Sequence, residues 1–384
     1  MGKAFFYSIV FICGLIAVAE ILFRLCYRIM RKRPYQFIPR IPFKKMYIEP
    51  HPYLPYVSKK HFLCSENIAA RFQLNQDKGY KFTELKTNNF RHYNGPDGSR
   101  DIVMPKPEGL TRINCLGAST TGNYIFYNGR QYSYPMELEK ILKNSFPGNN
   151  TEVNNCGQGG YTSAEVLIKF LLDTIDTTPD IVVLYLAYND LQPSMTDGFQ
   201  GDYSHAKRNL GEIYHRYEFI SKIPYIPLAI WNYLINARTF GQNIRFTLLS
   251  AIARKNANID NDFEGLGTYE RNIEHIINIC KANGIQVVLS TFCHYLYDGI
   301  KDNKEHLKYH EGIKLENEIM RGLSRRHDVP LVDNDMLIPR DNKYFVDSIH
   351  FSPEGMQMLA ENISKPIINI LKTEKVGSLH GKQA

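Results

Sequence analysis

The sequence predicts an α/β fold, a three-layer α/β/α sandwich with a central parallel sheet, led by an N-terminal transmembrane helix. Three observations carry that prediction. From residue 111 onward, short apolar stretches of strand character alternate with longer stretches whose apolar residues recur at helical spacing, over about 260 residues. One of the strand-like stretches, IVVLYLAYND at residues 181–190, is apolar through its first six residues, as a strand covered on both faces requires. Residues 4–23, AFFYSIVFICGLIAVAEILF, form a run of 20 with Glu20 as the one ionisable side chain, enough to cross roughly 30 Å of hydrocarbon as a helix.

Residues 1–46 comprise this anchor and its basic flank. Nine Lys and Arg sit there against Glu20 alone, whereas the whole 384-residue chain carries a formal charge of +7, so the remainder is close to neutral. Such a distribution argues against nucleic-acid binding by the body and favours anionic lipid headgroups at the tail. Lys3 precedes the span, while Arg24, Arg28, Arg31, Lys32 and Arg33 follow it. The positive-inside rule then puts the body on the cytoplasmic face of a single-pass protein, with an extracytoplasmic body as the alternative. A cleaved signal peptide is the rival to a retained anchor, but its apolar core is usually shorter and its cleavage site precedes any basic cluster. A buried helix of a soluble domain would show a polar face, which this run lacks.

Hydrophobic residues at 43% and charged residues at 22% describe a globular body, and the length admits one large α/β domain with additions or two small domains. Residues 47–110, rich in Pro, Tyr, His and Asn, predict a loop-rich extension with short strands, ending near Pro105 and Pro107. The α/β domain is expected over residues 111–375, with an insertion at about 191–262 and a tail at 376–384. Its elements are a strand at 112–119, a helix at 133–146, a short strand entering the glycines of NCGQGG, and a helix at 162–175 capped by Thr162 or Ser163. A strand at 181–190, a helix at 269–283, a strand at 286–292, a helix at 304–326 and a strand at 330–335 follow. The last helix starts at Ser352-Pro353 and runs to about Lys372; Met356, Leu359, Ile363, Ile367 and Ile370 share the side that should face the sheet. Of seven cysteines, Cys13 and Cys26 lie in or beside the span. Cys64, Cys115, Cys156, Cys280 and Cys293 show none of the close pairing of a disulfide scaffold or metal site, and Cys115, Cys156 and Cys293 fit buried thiols at strands.

In parallel α/β sheets, ligands collect beyond the carboxyl ends of the strands. Those ends carry Ser119, the glycines after Cys156, Asn189 with Asp190, and His294. In LGASTTGN, residues 116–123, Ser119 is either an ordinary turn residue or a hydroxyl held up to attack. To attack, it needs a base, a carboxylate that fixes the base's tautomer, and donors in place for the oxyanion. DSIHFSPEG, residues 347–355, offers Asp347 and His350 three residues apart ahead of a helix. Gly160 offers an unobstructed backbone N–H and Asn189 a side-chain amide. His294 ends a strand and fits a packed or surface histidine better than a pocket residue. The chain contains no HExxH, paired CxxC or Walker-type glycine loop, so neither a metal nor a nucleotide cofactor is expected.

Taken together, these blocks resemble the SGNH (GDSL-like) hydrolase family over roughly residues 111–372: a serine, a glycine, an asparagine and a final Asp-x-x-His block, in that order. The resemblance implies an SGNH/flavodoxin-like sandwich. It implies that Ser119 is nucleophile and, through its own N–H, oxyanion donor, that Gly160 and Asn189 complete the oxyanion hole, that His350 is general base and that Asp347 orients it. Two blocks depart from the pattern. Gly117-Ala118-Ser119 stands where Gly-Asp-Ser names the family, and Ala187-Tyr188-Asn189-Asp190 where Gly-x-Asn-Asp is usual. Ala118 cannot make an aspartate's hydrogen bonds, so the turn's rigidity is expected from Thr120, Thr121 or Asp190. Neither change removes a catalytic atom.

The expected function is that of a membrane-anchored serine esterase acting through an acyl-enzyme on an acetyl ester of a glycan or on a lipid or acyl ester. An O-acyltransferase using the same triad and a non-catalytic SGNH-like binding scaffold are the alternatives. Within the insertion, FISKIPYIPLAIWNYLI at residues 219–235 is expected to cap the core as a helix, or to form a lid or membrane contact. The sequence fixes no oligomeric state.

Overall fold

Five parallel strands make the central sheet of the computed structural model, which describes residues 2–31, 48–64, 85–95, 99–122, 125–128, 130–206 and 257–380. They are β1 (Leu110–Gly117), β2 (Asn150–Asn155), β3 (Ile181–Tyr185), β4 (Gln286–Ser290) and β5 (Leu331–Val332). Their spatial order is β2-β1-β3-β4-β5, and every pairing is parallel. The first strand therefore lies inside the sheet, where the winding reverses, the point beyond whose strand ends ligands bind in sheets of this kind. Registers such as Ile113 opposite both Val153 and Ile181 align the carboxyl ends of β1, β2 and β3 on one edge.

Alternate residues of these strands serve opposite faces. Ile113, Cys115, Val183 and Tyr185 join one buried cluster with Leu138 and Leu142 of helix α3 and Met356, Leu359, Ile363 and Ile367 of helix α9, while Val182 and Leu184 between them are equally buried. Among the described residues the α-helices, in chain order, are α1 (Gly2–Arg31), α2 (Ser119–Gly122), α3 (Tyr134–Ser145), α4 (Ser163–Lys169), α5 (Leu191–Ser194), α6 (Leu266–Ala282), α7 (Lys304–His327), α8 (Asn334–Leu337) and α9 (Pro353–His380). Helices α3 and α9 pack on each other, and α6 packs on both α4 and α7. At the sheet's amino-terminal edge, fully buried Arg112 pairs with Glu152 and donates to the Val103 carbonyl at 3.0 Å, tying the extension to β1.

The structure changes several expected boundaries. The helix begun at Ser163 leaves α geometry at Lys169 and continues as a π turn over Phe170–Thr174 and a 3-10 turn over Ile175–Thr177. There buried Asn114 of β1 donates to the Thr174 carbonyl at 3.2 Å and to the Thr177 hydroxyl at 2.8 Å. Strand β3 stops at Tyr185 rather than 190, because the chain turns through Tyr188 at φ 70°. The strand expected at 330–335 shrinks to two residues: Asp333 turns to accept from Arg321 and Thr291, and α8 follows.

The chain divides into two units, Met1–Met46 with Arg208–Ile252 and Tyr47–Lys207 with Ala253–Ala384. In the first, α1 covers the stretch read as an anchor, and its described Phe6, Phe11, Ile16 and Leu22 are exposed. The expected transmembrane helix is nevertheless not supported: among the described residues, no helix is long and apolar enough to cross a membrane. Most of the expected insertion, including the 219–235 stretch, lies outside the described residues. Cys115, Cys156, Cys280 and Cys293 are free and buried, and burial pushes the Cys156, Cys280 and Cys293 thiols up to about 12.

Candidate active site

Ser119 opens α2 two residues beyond the end of β1, so the strand hands it directly to the carboxyl edge of the sheet. The turn is tight. A Cβ on Gly117 would fall 2.5 Å from the Tyr185 carbonyl oxygen and 2.2 Å from Thr121 Oγ1, so no larger residue fits there. The N–H groups of Thr121 and Gly122 both donate to the Ala118 carbonyl, at 3.2 and 2.9 Å. Of the residues expected to stiffen this turn, Thr121 does so, through a buried hydroxyl 3.4 Å from Tyr134 Oη. Thr120 does not: its buried hydroxyl finds no hydrogen-bond partner among the described residues. Asp190 braces the start of α4, accepting from the Ser163 N–H at 2.9 Å and its hydroxyl at 2.5 Å.

His350 and Asp347 arrive on the loop before α9. An antiparallel bridge between Phe345 and Phe351 closes this loop, and the Val346 N–H donates to the His350 carbonyl at 2.9 Å. Ser352 then starts α9, accepting from the Gly355 N–H at 3.2 Å. Asp347 Oδ1 accepts the N–H groups of Ile349 and His350 at 2.9 and 2.7 Å, which aims its Oδ2 at His350 Nδ1, 2.8 Å away. On the far side of the ring, His350 Nε2 lies 3.0 Å from Ser119 Oγ. Burial works against the imidazolium, but the Asp347 charge and hydrogen bond outweigh it and hold the His350 pKa above its ordinary value. Burial likewise raises the Asp347 carboxyl, and its interactions with His350 and the two N–H groups more than reverse that.

The glycine loop comes up against the serine turn from the other side. A Cβ on Gly157 would sit 2.3 Å from the Gly122 nitrogen, so the two loops touch backbone to backbone. Gln158 donates its N–H to the Gly117 carbonyl at 3.1 Å. A Cβ on Gly159 would lie 3.8 Å from Ser119 Cβ, and Gly160 follows at φ 77°, a conformation natural to glycine. Asn189 is drawn to the same loop, with Nδ2 donating to the Tyr161 carbonyl at 2.9 Å. Ala187 is buried in the core cluster without displacing this turn.

Two residues of the site carried no signal in the blocks. Glu316, fully buried on α7, accepts the N–H of left-handed Tyr188 at 3.0 Å and so holds the residue before Asn189. Burial and the nearby Asp190 charge push its carboxyl well above the usual range. Its position on the apolar face of α7, in line with Tyr309, Ile313, Met320 and Leu323, is the feature of the sequence that marks it. Tyr56, from the extension, donates its hydroxyl to the Gly159 carbonyl. His294 is packed rather than exposed: it is buried, its Nδ1 lies 3.0 Å from His310 Nδ1, and burial with the His310 charge lowers its pKa to about 3. Among the described residues, no group of three His, Cys, Asp or Glu is placed to hold a metal ion.

A hydroxyl, an imidazole and a carboxylate thus stand in series at one sheet edge, beside a glycine turn and an amide. The sequence profile of the GDSL-like Lipase/Acylhydrolase family matches residues 115–358. No curated protein matches the chain. Among solved structures, the chain is similar to a GDSL-like lipase from Bacteroides thetaiotaomicron at 16% identity, covering 68% of this chain and 89% of that one, with a TM-score of 0.37. It is similar to a lipase/acylhydrolase from Enterococcus faecalis at 16% identity over 67% of this chain and 95% of that one, TM-score 0.38. An acetylxylan esterase from Geobacillus stearothermophilus is 13% identical over 66% and 91% of the two chains, TM-score 0.40. The family profile spans more than half of the chain and takes in the serine turn, the glycine loop, Asn189 and the Asp347–His350 loop, and the chain belongs to the GDSL-like lipase/acylhydrolase family.

Proposed function

We infer that the protein is a serine esterase of SGNH type, acting through an acyl-enzyme on an acetyl ester of a glycan or on a lipid or acyl ester. The observation that carries this reading is the 3.0 Å approach of His350 Nε2 to Ser119 Oγ, with Asp347 2.8 Å from the opposite ring nitrogen. In the neutral imidazole, Nδ1–H donates to Asp347 and leaves Nε2 with its lone pair toward the Ser119 hydroxyl. As Ser119 Oγ attacks the ester carbon, its proton passes to Nε2 and the carbonyl electrons move onto oxygen. The N–H groups of Ser119 and Gly160 and the amide of Asn189 receive that oxyanion. His350 then returns the proton to the departing alkoxide, leaving alcohol and an acyl ester on Ser119. Water repeats the sequence: it loses a proton to His350, and Ser119 regains one as the acid leaves.

The exposed apolar side chains of α1, followed by the basic cluster Arg24 to Arg33, support a membrane-held enzyme, with the charge asymmetry favouring a cytoplasmic catalytic domain. The esterase reading is tested by screening acetylated sugars, short-chain esters and lysophospholipids with the intact protein and with Ser119→Ala. Turnover and covalent labelling by a fluorophosphonate should both vanish in the variant; hydrolysis that survives it would remove the reading.

A further inference from the structure

We propose that Tyr56 is a positioning residue for the oxyanion hole, holding the Gly159–Gly160 peptide so that the Gly160 N–H faces the reacting carbonyl. The proposal rests on the esterase reading above. Tyr56 lies in the extension, well before the family match begins at residue 115, so the fold common to the family does not supply it.

The contact is specific. Tyr56 is almost buried and donates its hydroxyl to the Gly159 carbonyl, while the Tyr161 hydroxyl donates back to the Tyr56 carbonyl. The two rings pack 5.6 Å apart at 56°. Two residues further on, buried Ser58 donates to Gln158 Oε1 at 2.8 Å. Below the loop, the Tyr93 N–H donates to the Asn155 carbonyl at 3.2 Å, and Asn94 Oδ1 accepts the Asn155 N–H at 3.1 Å. The extension therefore grips the glycine loop before, at and after the Gly-Gly pair.

The direction of the grip decides its effect. In a planar trans peptide the carbonyl and the following N–H point to opposite sides. Fixing the Gly159 oxygen on the Tyr56 side sends the Gly160 N–H the other way. The pair is indeed sandwiched: a Cβ on Gly160 would strike Tyr56 Oη at 2.7 Å, whereas a Cβ on Gly159 would approach Ser119 Cβ at 3.8 Å. A peptide between two glycines meets the least steric resistance to rotation of any in a chain. Without an anchor on its carbonyl, this one turns and removes an oxyanion donor; the Tyr56 hydroxyl is that anchor.

The test is Tyr56→Phe in the intact protein, which keeps the ring packed against Tyr161 and deletes one hydroxyl. With p-nitrophenyl acetate, kcat should fall about tenfold to a hundredfold with KM within about twofold, the pattern of a lost transition-state interaction. Affinity for an alkylboronic acid, which forms a tetrahedral adduct on the serine, should fall by the same factor, while the pH midpoint of kcat/KM stays where the His350–Asp347 pair sets it. Ser58→Ala, which removes the neighbouring tie but leaves the Gly159 carbonyl held, reports general loosening and should lose less than about threefold in kcat. An unchanged kcat in Tyr56→Phe, an effect confined to KM, an unaltered boronate affinity, or an equal loss in Ser58→Ala overturns the proposal. Ser119→Ala separates the two levels. If hydrolysis survives it, the esterase reading falls and the clamp with it; if hydrolysis needs Ser119 but not the Tyr56 hydroxyl, only the clamp falls.

Discussion

On the proposed mechanism His350 sets the pH response, because the chemistry needs its neutral form while its neighbour favours the charged one. Asp347 holds the His350 pKa above 6.5 in spite of burial, so kcat/KM should rise with pH through a midpoint above 6.5 and then level off. In Asp347→Asn the opposing burial acts alone. The midpoint should then fall below 6.5, and the plateau should drop by about 10⁴-fold because the wrong tautomer is held. A pH–rate profile of the two proteins checks both statements; identical midpoints would show that some other group titrates. At this scale the sequence was legible where residues sit close together or recur in a fixed pattern. Asp347 and His350 are three residues apart, and the Asp347 bonds to the Ile349 and His350 N–H groups are local. The serine turn was only partly legible. Thr120, Thr121 and Asp190 were equivalent on paper, and which of them braces Ser119 depends on where Tyr134 and Ser163 lie in space.

Among the elements, helix α7 connects packing to the site most directly. Glu316 sits among the apolar residues of its inner face and caps an N–H that the left-handed Tyr188 presents to the interior. Glu316→Ala leaves that N–H without its acceptor and should cost about 1–3 kcal/mol of stability in urea unfolding, with Asn189-dependent turnover falling too. Glu316→Gln retains a carbonyl acceptor and should recover most of the loss. A stability unchanged in the alanine variant would show that water satisfies Tyr188 equally well. The helical period placed position 316 on the buried face, yet its partner is 128 residues away, and nothing in a single sequence pairs the two. The element ends tell the same story. Strand β3 was overrun by five residues because Leu186 and Ala187 are as apolar and buried as the strand itself; the backbone turn at Tyr188, not hydropathy, ends it.

For the molecule as a whole, the alternation of strands and helices foretold the parallel sheet, and the rule of carboxyl-end ligands selected the edge on which Ser119, Gly160 and Asn189 stand. The extension was not legible in the same way. Its short pairings, such as Ile48–Glu49 with Val57–Ser58, have no lasting period, and their role comes from docking on the glycine loop. At this scale the anchor reading makes its own prediction. The full chain should float with vesicles containing anionic phospholipid, and a chain starting at residue 47 should stay behind; a full chain that remains in solution removes the anchor.

The Ser119 hydroxyl and the His350 imidazole are 231 residues apart along the polypeptide. As ribosomes extend a chain from its amino end, the serine strand and the glycine loop emerge long before the segment holding His350. A nascent or prematurely terminated product thus carries the serine strand and the glycine loop without the imidazole. On the esterase reading, ester cleavage can begin only after the closing helix docks, so a half-made copy is chemically silent.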